Sequence, residues 1–367
     1  MLRLEKRPQP SDMWVWATPV VAVIATMIAG GVLFALLGKD PFLAMKAIFW
    51  DPLFGPNAGY FRPQLLVKAG PLILIAIGLS LGFRAGIWNI GAEGQYIMGA
   101  LSGAGVALAV YPAESAVLFP AMILAGALGG FLWAMIPAFL KIRFGTNEIL
   151  VSLMLVYVAV NIQSWMAFGP MKNPEGFNFP GSRNLSQYPS AQNAEIFVPS
   201  GLDWFRDTGI HWGVLTAFAS VVAAYVLLNR HILGFQIKVA GQAPKAARFA
   251  GVSPNTLVAV CMGISGALAG LAGLFEVAGP SGQVSAAFNV GYGFTAIIVA
   301  FLGRLNPVGI LFAGLLMALT YIGGETAQLA LNLPKAAIQA FQGMLLFFLL
   351  AFDLLVNFRV RVGRVAA

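Results

Sequence analysis

Between Asp12 and Lys39 the chain runs 26 residues without a charged side chain, and apolar runs of similar length recur almost to its end. About 20 apolar residues in a helix cross the roughly 30 Å hydrocarbon core of a bilayer. Within lipid, only helices and closed barrels satisfy their own backbone groups. The fold class predicted is therefore all-α, a polytopic transmembrane helical bundle. Ten spans are expected, near 15–37, 65–83, 92–111, 116–140, 147–168, 213–229, 255–275, 284–302, 307–323 and 336–352. The third opens in polar, glycine-rich sequence. The eighth contains Gly291 and Gly293 and is expected to be re-entrant or broken.

Composition agrees. Residues are 59% hydrophobic and only 10% charged, where soluble domains carry about 25% charged residues. Mean hydropathy is +0.81. Arg3, Lys6 and Arg7 precede the first run, which is longer than the ~7–15 apolar residues of a signal-peptide core. It reads as a retained first span. The whole of 1–367 reads as a single transmembrane domain, with a bundle at 65–352, an outer loop at 169–212, an inner loop at 230–254 and a tail at 353–367. Spans two to five and seven to ten suggest two pseudo-repeated halves, each opening with a Gly-rich pair of spans.

Orientation follows from Lys and Arg, which concentrate in cytoplasmic loops. With both termini in the cytoplasm, the inner segments hold Arg3, Lys6, Arg7, Arg84, Lys141, Arg143, Arg230, Lys238, Lys245, Arg248, Arg304, Arg359, Arg361 and Arg364. The net charge of +8 thus belongs to a membrane protein's inner face and does not call for nucleic acid. Membrane lipid is the expected surrounding. Small residues at i and i+4 let helix backbones approach in lipid. Such pairs occur at Gly78/Gly82, Gly99/Gly103, Gly126/Gly130 and Gly266/Gly270, and intramolecular packing is their expected role.

Chemistry has few places to reside. The lone cysteine, Cys261, excludes an internal disulfide, and it reads as a small core residue. His211 and His231 have no metal-ligand spacing. The only Gly-Lys, Gly38-Lys39, is followed by Asp40, so no P-loop is present. No catalytic residue, metal site or cofactor is expected in this chain.

Polar residues within spans are functional candidates by default. Arg84, Asn89, Glu93 and Gln95 lie among glycines in Gly82–Gln95, and Asn89, Glu93 and Gln95 are assigned to the translocation path or substrate, with helix capping by Glu93 as the alternative. Asn147 and Glu148 join them, although a cap and a first-turn acid explain much of that pair. Tyr292 and Phe294, beside a glycine pair, are candidates to stack on a flat solute. Asn161, Gln163, Ser164, Gln339 and Gln342 are further polar span residues.

The inner loop is the most informative. Pro244 suits a first helical turn, so Lys245 to Ala250 reads as a short helix. Gly251 ends it, and Ser253-Pro254 opens the next span. A basic, small-residue helix there suits a cytoplasmic partner, and an interfacial helix held by anionic lipid is the alternative.

Together these segments resemble the permease subunit of bacterial ABC importers, in the group of branched-chain amino acid, ribose and nucleoside permeases. Gly82–Gln95 is similar to the nucleoside and simple-sugar branch's F-R-x-G-x-x-N-I-G-x-E-G-Q. Gly145–Leu155 resembles T-N-E-[IV]-[IV]-x-x-L-M-L. Gly241–Val252 resembles G-x-N-P-x-A-A-x-[YF]-A-G-[IV], with Gln242-Ala243 where x-Asn is usual. Gly291–Pro307 resembles G-[YF]-G-[FY]-x-x-I-x-V-A-[FL]-L-G-x-x-x-P.

The resemblance implies a subunit that moves a nucleoside, or next a simple sugar, across the cytoplasmic membrane. It implies a second permease subunit, an extracytoplasmic solute-binding protein, and cytoplasmic ATPase subunits that carry ATP and Mg. Gly241, Pro244, Lys245, Ala246, Ala247, Arg248 and Gly251 would contact the ATPase as a coupling helix. An ion-coupled secondary transporter is the competing expectation. The carboxylates Glu93, Glu148, Glu276, Glu325 and Asp353 near predicted span ends count against it. A non-transporting scaffold is a third.

Overall fold

Helix ends in this chain are set by glycines and caps that the sequence displays. In a computed structural model, which describes residues 2–7, 11–193 and 208–362, most of the described residues are helical. Residue 364 and residues 194–207 of the long loop lie outside the described residues. The elements are β1 (Leu2–Lys6), α1 (Asp12–Leu36), α2 (Pro41–Met45), α3 (Asp51–Phe54), α4 (Ala58–Arg84), α5 (Ala92–Val110), α6 (Leu118–Phe144), α7 (Glu148–Phe168), α8 (Trp212–Arg230), α9 (Ile232–Gln242), α10 (Pro244–Phe249), α11 (Pro254–Val277), α12 (Tyr292–Leu302), α13 (Pro307–Leu331), α14 (Lys335–Asn357) and β2 (Phe358–Val362). Among the described residues, eight helices are long and apolar enough to cross a membrane: α1, α4, α6, α7, α8, α11, α13 and α14.

The chain divides into two compact units, residues 1–62 with 319–367 and residues 63–318. In the first, Phe34 of α1 stacks on Phe341 of α14 at 6.0 Å. Ile48, Ala327 and Ile338 complete that core. β1 and β2 pair antiparallel from Leu2↔Val362 to Lys6↔Phe358, and Arg359 binds Glu5 at 2.9 Å. The segments that flank α1 and α14 therefore meet at one end of this unit.

In the second unit, α5, α6 and α11 form the centre. Gly99 faces Gly270, and Gly130 faces Gly266 and Gly270, each so closely that a Cβ would overlap the partner backbone. The glycine pairs thus pack helices of one chain against one another, gaining dispersion contacts in place of a hydrophobic drive.

Two of the expected spans are not simple helices. α4 closes at Gly86 (φ 76°), where Ile87 N–H donates to Gly82 O at 2.9 Å, a left-handed glycine stop. The chain then runs without helix from 85 to 91, with Asn89 bonded to Ser265 in the middle of α11 at 3.0 Å. Accordingly α5 begins inside the bundle. The eighth span is broken: only Tyr292–Leu302 is helical. At ~1.5 Å per residue those 11 residues cover about half a bilayer core. Residues 284–291 run unwound before it, and Gln163 of α7 donates to Ser285 O at 3.0 Å and Ala286 O at 3.2 Å. Such unwound backbone survives at membrane depth only when protein groups satisfy it. From the middle, α5 runs to the end bearing the long loop and α12 to the end bearing α9 and α10.

The described part of the long loop is ordered over one end. Asn193 N–H donates to Ala278 O at 2.7 Å, and Ser182 N–H to Val284 O at 2.8 Å. Arg183 sits 4.3 Å over the Tyr111 ring. It also pairs with Glu175 at 3.1 Å, which holds the Arg183 guanidinium above its ordinary range.

Candidate functional site

The N-termini of α5 and α12 meet at Glu93. Its Oε2 accepts the N–H of Gly293, and Glu93 is 1% exposed. Gly291 (φ 86°) opens α12, and Gly293 lies against the Glu93 backbone with no room for a Cβ. A carboxylate at a helix N-terminus is favoured by the dipole and answers an orphan donor. Glu93 therefore ties one broken segment to the other.

Asn89 and Gln95 are also engaged. Asn89 Nδ2 donates to Gln95 Oε1 at 2.8 Å, and Gln95 Nε2 donates to Asn89 Oδ1 at 3.0 Å. Asn89 Oδ1 additionally takes the Gly91 N–H at 3.0 Å. This amide pair pins the 85–91 break to α11. Of the residues predicted to line a path, these three lie close in the chain; Asn89 and Gln95 bond each other and Glu93 Oε2 bonds the Gly293 backbone, while the buried Glu93 Oε1 has no partner among the described residues.

Asn147 and Glu148 lie apart from that cluster. Asn147 Oδ1 caps α7 by accepting Ile149 N–H at 2.9 Å. Glu148 pairs with Lys141 and accepts the Trp88 N–H at 3.4 Å. Tyr292 is wholly buried, edge-on to Tyr96 at 6.0 Å. Phe294 is 41% exposed. Sequence reasoning passed over its neighbours. Phe294, Ile297 and Phe301 share the accessible face of α12, and Phe301 stacks with Phe83 at 5.3 Å and Trp88 at 5.8 Å. Only the i, i+3, i+7 spacing on α12 hinted at this aromatic face.

The expected short helix is present as α10, with Pro244 at its first position and Gly251 (φ 80°) after it. Pro244, Lys245, Ala246 and Arg248 are exposed, Ala247 is buried, and Phe249 is 95% exposed. The preceding helix α9 was not predicted. It is capped by His231, whose Nδ1 accepts Leu233 N–H at 3.1 Å. At its end, Gly241 rests on the Arg84 carbonyl with no room for a Cβ. The Arg84 side chain donates from Nε to Leu305 O at 2.8 Å. Arg84 thus joins the end of α9, the end of α4 and the α12–α13 turn. Among the described residues, no three His, Cys, Asp or Glu gather to hold a metal ion.

Residues 62–350 match the family described as branched-chain amino acid transport system, permease component. The chain is 38% identical over 365 residues to the glucose ABC transporter permease protein of Haloferax volcanii, covering 99% of this chain and 94% of that protein. It is 27% identical to the guanosine ABC transporter permease protein of Bacillus subtilis, over 90% of this chain and 91% of that one. It is 26% identical to a nucleoside ABC transporter permease protein of Lactococcus lactis, over 90% and 89%. No solved structure matches the chain.

Proposed function

The chain belongs to the permease family of branched-chain amino acid transport systems, and from that premise we propose that it carries a simple sugar or a nucleoside inward through the cytoplasmic membrane, driven by ATP on partner subunits. Relatives named for glucose, guanosine and nucleosides support that solute class. ATP and Mg reside on separate cytoplasmic ATPases that dock on α10. A second permease subunit and an external solute-binding protein complete the system. The α10 end and both termini face the cytoplasm. Nothing in the relatives supports the ion-coupled alternative.

The observation that carries this reading is the Arg84–Gly241 junction. Exposed Lys245, Arg248 and Phe249 offer the ATPase a handle. Displacing α10 presses Gly241 on the Arg84 carbonyl. Arg84 moves α4 directly and the α12–α13 turn through Leu305. Glu93 then transmits the motion of α12 to α5. The aromatic face of Phe294, Phe301 and Trp88 lines the path, with Asn89, Gln95, Asn147 and Glu148 holding its frame. Solute biases the two states only by its differential affinity for them.

The test is uptake into proteoliposomes that hold the assembled system with its binding protein outside. Labelled glucose or guanosine should accumulate only when ATP is enclosed. Uptake driven by an ion gradient without ATP would overturn the reading.

A further inference from the structure

At the end of the bundle away from α10 lies a cavity of about 460 Å³, within the roughly 300–1,000 Å³ typical of small-molecule sites. Among the described residues, polar groups of Gln64, Lys68, Ser186, Gln192, Asn193 and His211 line it. Lys68 has its ammonium 5.9 Å from the Tyr292 ring, so the cavity floor approaches the start of α12.

Two of its walls are built with unusual care. Asn193 is 7% exposed and His211 4%. Asn193 Nδ2 donates to His211 Nδ1 at 2.7 Å and to Phe275 O at 3.2 Å. Gly213 N–H also donates to His211 Nδ1, at 3.0 Å. With Nδ1 accepting, the ring proton sits on Nε2. This leaves Asn193 Oδ1 as a buried acceptor and His211 Nε2–H as a buried donor, neither with a protein partner. Unpaired buried polar atoms are costly and call for an explanation.

We propose that this cavity binds a neutral solute with several ring hydroxyl groups. A hydroxyl both donates and accepts, which suits an orphan acceptor beside amides that do both. Among the described residues, no carboxylate lines the cavity. Among the described lining residues the one cation, Lys68, interacts electrostatically with Glu276, so these walls favour neither an anion nor a cation. The proposal rests on the import reading and gives its solute a holding place on the outer side.

The test exploits Cys261, which is the chain's one cysteine and is buried. In Gln192→Cys the introduced thiol is the accessible one, since Gln192 is exposed at the cavity rim. The assembled system in sealed vesicles is labelled from outside with an impermeant maleimide, with and without glucose or guanosine. One of these should slow labelling severalfold and saturably, while mannitol, an open-chain polyol, should not. Adding Asn193→Leu should remove the protection, and Gln64→Leu serves the same purpose if the first variant fails to fold. Equal labelling rates with and without both probes overturn the site. ATP-driven uptake is read on the same vesicles. Uptake without protection removes the site and leaves the import reading, and protection without uptake does the reverse.

Discussion

Glu93 on α5 accepts the backbone N–H of Gly293 on α12, across 200 positions of sequence. The contact joins two helices that both begin inside the bundle, so it fixes where the interrupted segments meet. Removing the acceptor leaves a buried donor unpaired at the positive end of a helix. Glu93→Ala should lower thermal stability in detergent by about 1–3 kcal/mol and reduce uptake. Glu93→Gln keeps an oxygen acceptor and should recover most of the stability. Equal melting temperatures for both variants and the parent would contradict this role.

Gly241 and Arg84 form the mechanical link. Any Cβ at Gly241 meets the Arg84 carbonyl. Gly241→Val should therefore leave ATP hydrolysis by the assembled complex running while uptake falls. Parallel measurement of both rates checks it, and a proportional loss of the two would contradict uncoupling.

Arg248 and Phe249 touch little within the chain, and surface substitutions of that kind usually change stability by within about 0.5 kcal/mol. Arg248→Glu and Phe249→Asp should insert and melt like the parent, yet fail to stimulate hydrolysis when solute and binding protein are added.

Gly99 has the Gly270 backbone where a side chain would go. Overpacking a tight core typically costs about 1–3 kcal/mol. Gly99→Val should fall in that range or above it, read as a lower melting temperature, whereas Gly343→Ala, with open space around it, should be nearly silent.

His211 supplies a pH dependence. Burial pushes its imidazole down to about 4 from 6.5. The unfolded chain takes up a proton below about 6.5 and the folded chain does not, so stability is complete above that value and is lost as pH falls towards 4. The shift corresponds to at most ~3 kcal/mol. Melting between pH 7.5 and 4.5 should show this slope, and His211→Gln should flatten it.

The bundle and the short exposed helix α10 were legible because their signals are local. Long uncharged runs, Pro244 before α10 and Gly251 after it act within a few residues. The break at Gly291 was legible for the same reason. The amide pair of Asn89 and Gln95 was visible as polar residues near membrane depth, but its anchor Ser265 lies 176 positions from Asn89, and no periodicity reports such a pairing. Tyr292 and Phe294 looked alike beside their glycines, and only tertiary packing buries the one and leaves the other open. Helix α9 is short and half-exposed, with an apolar pattern too brief to stand out. The cavity by His211 was invisible, since its walls come from α4, the long loop and the end of α11.

The most direct test of the central claim is to purify the tagged chain from its own membranes in mild detergent and identify what accompanies it. The account predicts a stoichiometric ATPase with a Walker motif, lost from the preparation in Phe249→Asp. A preparation without an ATPase that still carries solute in proteoliposomes would contradict it.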